Sequence, residues 1–298
     1  MRDGYIHELR IVHPPSASPK LSDQDNKNEN TKTPLILLIH GGGFIVGTNK
    51  QLIQFARLFA AIYGLTIALP SYRLAPENKL PVGTEDVWDT LLYIQSHAST
   101  GPINADLSLG FIVAGVSAGA NIASNTVHRA VREFPGLVTG QWSSVPGFIV
   151  DSSILPEKYR GLWISRTQNA DAPILSTKDM AWIEEMLGAR HTVDYCPFVD
   201  MDSFKGIPKS YIQVCGMDPL RDDGIIYEKV LREYGVQTRF DAYMGVPHGV
   251  WAVFPKLRSS QRAVLDAVRQ TGWLLGKGLD EARLKWAAGE MGIAVDAS

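Results

Sequence analysis

From Pro34 onward, short apolar runs alternate along the chain with longer segments of helical periodicity. The runs are continuously apolar, which is typical of strands buried on both faces of a parallel sheet. The predicted strands are 34–39, 65–69, 108–114, 147–150, 210–215 and 239–243, and the predicted helices between them are 51–63, 84–96, 120–133 and 224–234. This order predicts an α/β fold with a mostly parallel, doubly wound sheet flanked by helices.

The length of 298 residues suits one large domain, and we predict a single domain over 1–298. Residues 152–205 break the rhythm of strands and helices, so we expect a small helical cap inserted over the sheet. Residues 5–13 alternate like a half-buried strand, whereas 16–32 offer almost nothing to bury and predict a flexible loop. Two C-terminal segments of helical pattern would pack on the sheet or on a partner subunit: 257–275 and 282–291.

Charge and composition exclude several classes of function. A net charge of −2 gives no basic field that would attract nucleic acid. The charged N-terminus lacks the apolar core of a signal peptide, and no apolar run is long enough to cross a bilayer, so we expect a cytoplasmic protein without a membrane span. The cysteines, Cys196 and Cys215, lack metal-site or CxxC spacing and are expected to be inert core residues.

The pentapeptide 115–119, Gly-Val-Ser-Ala-Gly, lies between a predicted strand and a predicted helix. Flanking glycines allow the sharp turn of a nucleophile elbow, which exposes the Ser117 hydroxyl at the carboxyl end of a strand and the positive end of a helix. Ser117 is therefore the predicted nucleophile.

A glycine-rich turn, His40-Gly41-Gly42-Gly43, follows the strand 34–39 directly. Acyl transfer needs donors where negative charge develops on the carbonyl oxygen, and a glycine backbone can present them. We assign this oxyanion hole to the amides of Gly42, Gly43 and Ala118. His40 precedes these donors and is expected to anchor the loop rather than to act as a base.

A serine nucleophile needs a histidine base, and that histidine needs a group that orients it. His248 follows the strand 239–243 and so reaches the same carboxyl edge of the sheet as Ser117. The other candidates lie on predicted strands or helices or in the insertion and are read as structural: His7, His13, His97, His128 and His191.

The orienting acid is predicted to be Asp218, which follows the strand 210–215 at the same edge. The chain order serine, aspartate, histidine is that of the α/β-hydrolase fold. Asp222 and Asp223 compete for the role, but they lie farther into the next turn, where an N-cap of the following helix is the simpler reading.

These motifs resemble the hormone-sensitive-lipase-like carboxylesterases, the α/β-hydrolase fold-3 group, over about 34–255. The resemblance rests on residues 40–44, the block 71–77 (Ser-Tyr-Arg-Leu-Ala-Pro-Glu), the serine elbow, and Asp-Pro-Leu at 218–220 with Pro-His-Gly at 247–249. It implies cofactor-free hydrolysis of esters with short or medium acyl chains, under a helical cap. It also implies that Arg73 and Glu77 support the glycine loop.

The sequence departs from the family pattern in the elbow and ahead of the sheet. Val116 precedes the serine and Ala120 follows Gly119, where the family commonly has an acidic or small polar residue and a second glycine. The usual N-terminal cap helices have little room ahead of Tyr5, so we expect the cap to come mainly from 152–205. The segment 212–224 looks most like fungal members, some of which act on esters or lactones in secondary metabolism.

The expected function is a serine carboxylesterase acting on a small-molecule ester through an acyl-enzyme on Ser117. A tailoring enzyme using the same residues for lactone hydrolysis, transacylation or elimination remains open, as does a non-catalytic receptor. A receptor would be expected to lose the base, and His248 is present. Natural substrate, oligomeric state and the formation of a homodimer are left open.

Overall fold

The computed structural model describes residues 1–15, 32–188 and 192–295. The predicted loop 16–32 lies almost wholly outside these residues, as does His191. The strands are β1 Leu9–Val12, β2 Leu35–Ile39, β3 Thr66–Pro70, β4 Phe111–Val116, β5 Gly140–Ser144, β6 Ser210–Cys215 and β7 Thr238–Tyr243. The helices are α1 Ile53–Tyr63, α2 Val82–His97, α3 Ala118–Glu133, α4 Glu157–Arg160, α5 Ser165–Gln168, α6 Thr177–Leu187, α7 Arg221–Glu233, α8 Val250–Val253, α9 Arg258–Leu275 and α10 Glu281–Glu290.

In the described part of the chain, the strands form one seven-stranded sheet in the order β1-β3-β2-β4-β5-β6-β7. Among the described strands, only β1 pairs antiparallel with its neighbour, and the other pairs are parallel. Parallel pairing brings the carboxyl ends of β4, β6 and β7 to one edge, where the predicted site residues follow them. The predicted doubly wound α/β class is confirmed.

Both faces of the sheet are covered, which explains why the sequences of the central strands β2 and β4 are continuously apolar. Along β2, Leu35, Leu37 and Ile39 join one hydrophobic core, whereas the alternate residues Ile36 and Leu38 join the other. The first core takes in side chains of α2, α3 and α7, and the second takes in side chains of α1, α9 and α10.

The prediction of a strand at 147–150 is wrong. The strand that lies between β4 and β6 in the sheet is β5, which has the polar sequence Gly-Gln-Trp-Ser-Ser. Its buried polar groups are satisfied by neighbours: Gln141 Nε2 donates to Ser124 Oγ at 2.7 Å, and Trp142 Nε1 donates to Gln213 Oε1 at 3.0 Å. The amides of Phe148 and Ile149 instead donate to a carboxylate, that of Asp223. Tertiary hydrogen bonding therefore outweighs local apolar pattern here.

Residues 152–205 lie between β5 and β6 and, where described, hold α4, α5, α6 and short 3-10 turns without a strand. Both cysteines are buried free thiols, and burial raises the pKa of each to about 12. No helix within the described ranges is long and apolar enough to cross a membrane.

Candidate active site

Ser117 occupies a strained turn between β4 and α3, with φ of 56° and ψ of −122°. A side chain at Gly115 would overlap the Gly119 carbonyl, and one at Gly119 would overlap the Ile39 carbonyl, so both positions require glycine. The Ser117 amide donates to the Ser144 carbonyl at 2.8 Å, which ties the turn to β5. The sequence context therefore produces the predicted elbow, with the serine at the helix N-terminus.

The glycine loop packs directly against this elbow. A Cβ on Gly41 would lie 2.8 Å from the Val116 carbonyl oxygen, and Gly42 and Gly43 both have positive φ, 116° and 61°. Within the described part of the chain, the amides of Gly42, Gly43 and Ala118 donate to no protein acceptor. These three predicted donors are thus available to a ligand beside the serine.

His248 lies between Ser117 and Asp218. Its Nε2 is 2.8 Å from Ser117 Oγ, and its Nδ1 is 2.7 Å from Asp218 Oδ2. Asp218 is fully buried, and its other oxygen accepts from the Leu220 amide at 2.8 Å. Because the carboxylate accepts a hydrogen bond from Nδ1–H, Nε2 is left as the unprotonated nitrogen that can accept the serine proton.

The remaining histidines of the described chain lie away from this chain of hydrogen bonds. His7 pairs with Thr90, His13 with the Pro102 carbonyl, and His97 stacks on Tyr93. His128 is buried between Ser203 and Tyr227, and burial lowers its pKa to about 3, so it stays neutral. The surroundings of these four histidines agree with the prediction that their role is structural rather than catalytic.

Tyr72 gives the glycine loop its support. Its hydroxyl donates to the His40 carbonyl at 3.0 Å, and its ring stacks on the His40 ring at 4.3 Å. Burial lowers the pKa of His40, which suits a neutral ring in this stack. The resemblance implied support from Arg73 and Glu77 instead. Arg73 binds Asp86 with two side-chain nitrogens, and Glu77 is exposed.

The sequence favours an N-cap role for Asp222 and Asp223, but both lie inside α7, whose N-cap is Leu220. Asp222 Oδ2 accepts from the amides of Ile164 and Ser165 at 2.8 and 2.6 Å. Asp223 accepts from Trp163 Nε1 at 2.8 Å as well as from the loop after β5. Both carboxylates therefore hold the inserted segment on the sheet, and burial raises the pKa of Asp223.

A cavity of about 340 Å³ opens over Ser117 and His248. Its walls are mostly apolar and combine the glycine loop and α8 with residues from the inserted segment: Ile174, Leu175, Met180, Ile183, Glu184, Leu187 and Tyr195. Phe44, which directly follows the glycine loop, also lines the cavity. Trp182, Met186 and Trp251 do not, and Trp182 is 59% exposed.

A serine paired to a histidine and an aspartate, beside free backbone amides at the carboxyl edge of a mostly parallel sheet, defines a serine hydrolase of the α/β type. A family model described as alpha/beta hydrolase fold matches residues 36–252. The chain belongs to this family, and the resemblance to the hormone-sensitive-lipase-like group is confirmed.

Individual relatives support the same placement. The chain is 32% identical over 226 residues to Esterase LipI of Mycobacterium tuberculosis, covering 74% of this chain and 67% of the relative. It is 27% identical to the versiconal hemiacetal acetate esterase of Dothistroma septosporum, covering 84% and 76%. Among solved structures, vibralactone cyclase superposes with a TM-score of 0.78 at 27% identity, covering 91% of this chain and 80% of that one.

Proposed function

We propose that this protein is a serine carboxylesterase that hydrolyses small-molecule esters through an acyl-enzyme on Ser117. The observation that carries the proposal is the continuous hydrogen-bonded chain from Ser117 Oγ through His248 to Asp218, with separations of 2.8 and 2.7 Å. Esterase-named relatives on the same fold support the ester as substrate.

In the acylation step, the Ser117 hydroxyl attacks the ester carbonyl while His248 Nε2 takes its proton. Negative charge on the carbonyl oxygen is stabilised by the amides of Gly42, Gly43 and Ala118, which need no reorganisation because the loop already holds them. Asp218 stabilises the imidazolium that forms. Collapse of the intermediate transfers this proton from His248 to the departing alcohol.

In the deacylation step, water takes the place of the alcohol and attacks the acyl-enzyme. His248 removes a proton from this water, and the same amides stabilise the second tetrahedral intermediate. Breaking the bond to Ser117 returns the proton to the serine and releases the carboxylic acid. The resting hydrogen bonds are then restored.

The size of the cavity supports the proposal that the substrates carry short or medium acyl chains. Its volume of about 340 Å³ lies at the small end of ligand sites, which span roughly 300–1,000 Å³. We propose that 152–205 form the cap over this site within a single domain. The position of α6 supports this, because a Cβ on Gly43 would lie 2.9 Å from Ile183 Cδ1.

A tailoring role is the second candidate, and the structural relative named as a cyclase favours keeping it. The same acyl-enzyme can be resolved by an alcohol or by an internal nucleophile rather than by water. Product analysis separates the two functions, because hydrolysis releases the free acid, whereas transfer to added alcohol forms a new ester.

We expect the purified protein to hydrolyse p-nitrophenyl acetate and butanoate and to lose roughly tenfold or more of kcat/KM with the palmitate, since the long chain exceeds the cavity. The measurement is nitrophenol release across the series, with the acid product identified by chromatography in the presence and absence of added alcohol. Absence of turnover with every ester would refute the esterase proposal.

A further inference from the structure

The loop that carries Asp218 is held from two sides. Residues 216–220 connect β6 to α7, and the Gly216 amide donates to the Tyr243 carbonyl at 2.8 Å. Tyr243 ends β7, the strand that leads to His248, so this bond ties the loop of the orienting acid to the segment of the base. The carbonyls of the loop are bound by a different part of the chain.

These carbonyls accept hydrogen bonds from α5 of the inserted segment. Asn169 Nδ2 donates to the Asp218 carbonyl at 3.0 Å and to the Gly216 carbonyl at 3.3 Å. Ser165 Oγ donates to the Pro219 carbonyl at 2.8 Å. Ser165 and Asn169 are four residues apart, so they lie on the same face of the helical turn. This face therefore binds the backbone of the loop at three carbonyls.

Asn169 is the contact of the loop that can be changed without disturbing α7. Arg221 also donates to the Asp218 carbonyl, through its amide at 3.0 Å, but Arg221 is the first residue of α7. Both acceptors of Asn169 are carbonyl oxygens, so its NH₂ group is the part of the side chain that the loop requires. Asn169 is half-buried with φ of −113°, so its replacement adds no backbone strain.

A shift of this loop should affect turnover more than substrate binding. Asp218 Oδ2 orients the imidazole from 2.7 Å away from His248 Nδ1, and a misplacement of about 1 Å in such a site can cost roughly 10²-fold in rate. Neither Asp218 nor Asn169 lines the cavity, so the contacts that bind the ester stay as they are.

We infer that Asn169 is a positioning residue, which holds the loop 216–220 so that the Asp218 carboxylate stays aligned with His248. The inference rests on the proposed esterase function. It gives the inserted segment a second role, because the segment whose residues line the substrate cavity also fixes the acid that orients the base.

Asn169→Ala and Asn169→Leu both remove the NH₂ donor, and the second keeps most of the side-chain volume. Each is expected to lower kcat for p-nitrophenyl acetate by about tenfold while KM changes by less than about threefold. Asn169→Gln keeps a donor and should recover part of the loss. Steady-state kinetics and the melting temperature are measured on the same preparations.

A double-mutant cycle with Asp218→Asn tests whether Asn169 acts through the acid. Asp218→Asn already removes the carboxylate that Asn169 positions, so adding Asn169→Ala to it should lower kcat by less than about twofold. An equal tenfold loss in both backgrounds, or an unchanged kcat in folded Asn169→Ala and Asn169→Leu, would overturn the inference and leave the esterase function standing.

Thr177→Val is the matched control. Thr177 is also half-buried in the inserted segment, but its Oγ1 donates to the Arg166 carbonyl at 2.7 Å and not to the loop. It should lower the melting temperature by a similar amount with kcat kept within about twofold. A parallel loss of kcat in Thr177→Val would also overturn the role of Asn169, since any weakening of the insertion would then lower turnover. If the native protein hydrolyses no ester, the proposed function fails and the inference fails with it.

Discussion

Ser117→Ala is expected to lower the kcat/KM for p-nitrophenyl acetate by about 10⁴-fold or more. The variant keeps the amides of the oxyanion site and the His248–Asp218 pair but has no oxygen to form the acyl-enzyme. The side chain of Ser117 makes its hydrogen bond to His248, so its loss should leave the fold intact. Initial rates and the melting temperature are measured on the same purified preparations.

Ser124→Ala is the matched control for this variant. Ser124 is a buried serine of α3, and its hydroxyl is bonded to Ser143 and Gln141 rather than to the site. Its loss should cost about 1 kcal/mol of stability with activity kept within a few fold. Retained activity in folded Ser117→Ala would show that another nucleophile carries the reaction.

Asp218→Asn is expected to lower kcat by roughly 10⁴-fold, with a smaller change in KM. The asparagine can present an NH₂ group to His248 Nδ1, which favours the tautomer with its proton on Nε2. That nitrogen then cannot accept the serine proton. Steady-state kinetics give both constants.

The neighbouring acid Asp222 provides a control for this prediction. Asp222→Asn should weaken the hydrogen bonds to Ile164 and Ser165, so it is expected to lower the melting temperature more than it lowers kcat. The reverse pattern, in which Asp222→Asn abolishes turnover and Asp218→Asn retains it, would show that the orienting acid has been misassigned.

The sheet and the position of the site could be predicted because the informative signals were local. A continuous apolar run marks a strand buried on both faces, and parallel strands end at one edge. Ser117, Asp218 and His248 each follow a parallel strand of this sheet, so topology alone was enough to bring them together. The elbow was equally predictable, since both of its glycines are required by backbone overlap.

Prediction from the sequence fails where side chains that are distant in sequence decide the local structure. The polar strand β5 is stabilised by partners such as Ser124 and Gln213, which are not adjacent in sequence, whereas the more apolar 147–150 is held as a loop by Asp223. The position of Asp223 near the start of a helix suggests a capping residue. Its actual partners lie in the insertion and after β5, far away in sequence. Short-range rules carry no information on such contacts.

The residues that form the walls of the site could not be predicted from the sequence either. Tyr72 lies in the block 71–77, but nothing in the spacing of that block predicts its hydrogen bond to the His40 carbonyl. Trp182 is the large aromatic residue of α6, yet the face of this helix that turns toward the cavity carries Met180, Ile183 and Glu184. The orientation of the inserted helix decides this, and residue type alone does not reveal it.

The most direct test of Ser117 as nucleophile is covalent labelling with a fluorophosphonate, followed by mass spectrometry of the peptides. We expect stoichiometric modification of Ser117, loss of ester hydrolysis in proportion to the labelling, and no labelling of Ser117→Ala. Full hydrolysis after complete labelling of Ser117, or stoichiometric label on a different residue together with loss of activity, would contradict the assignment.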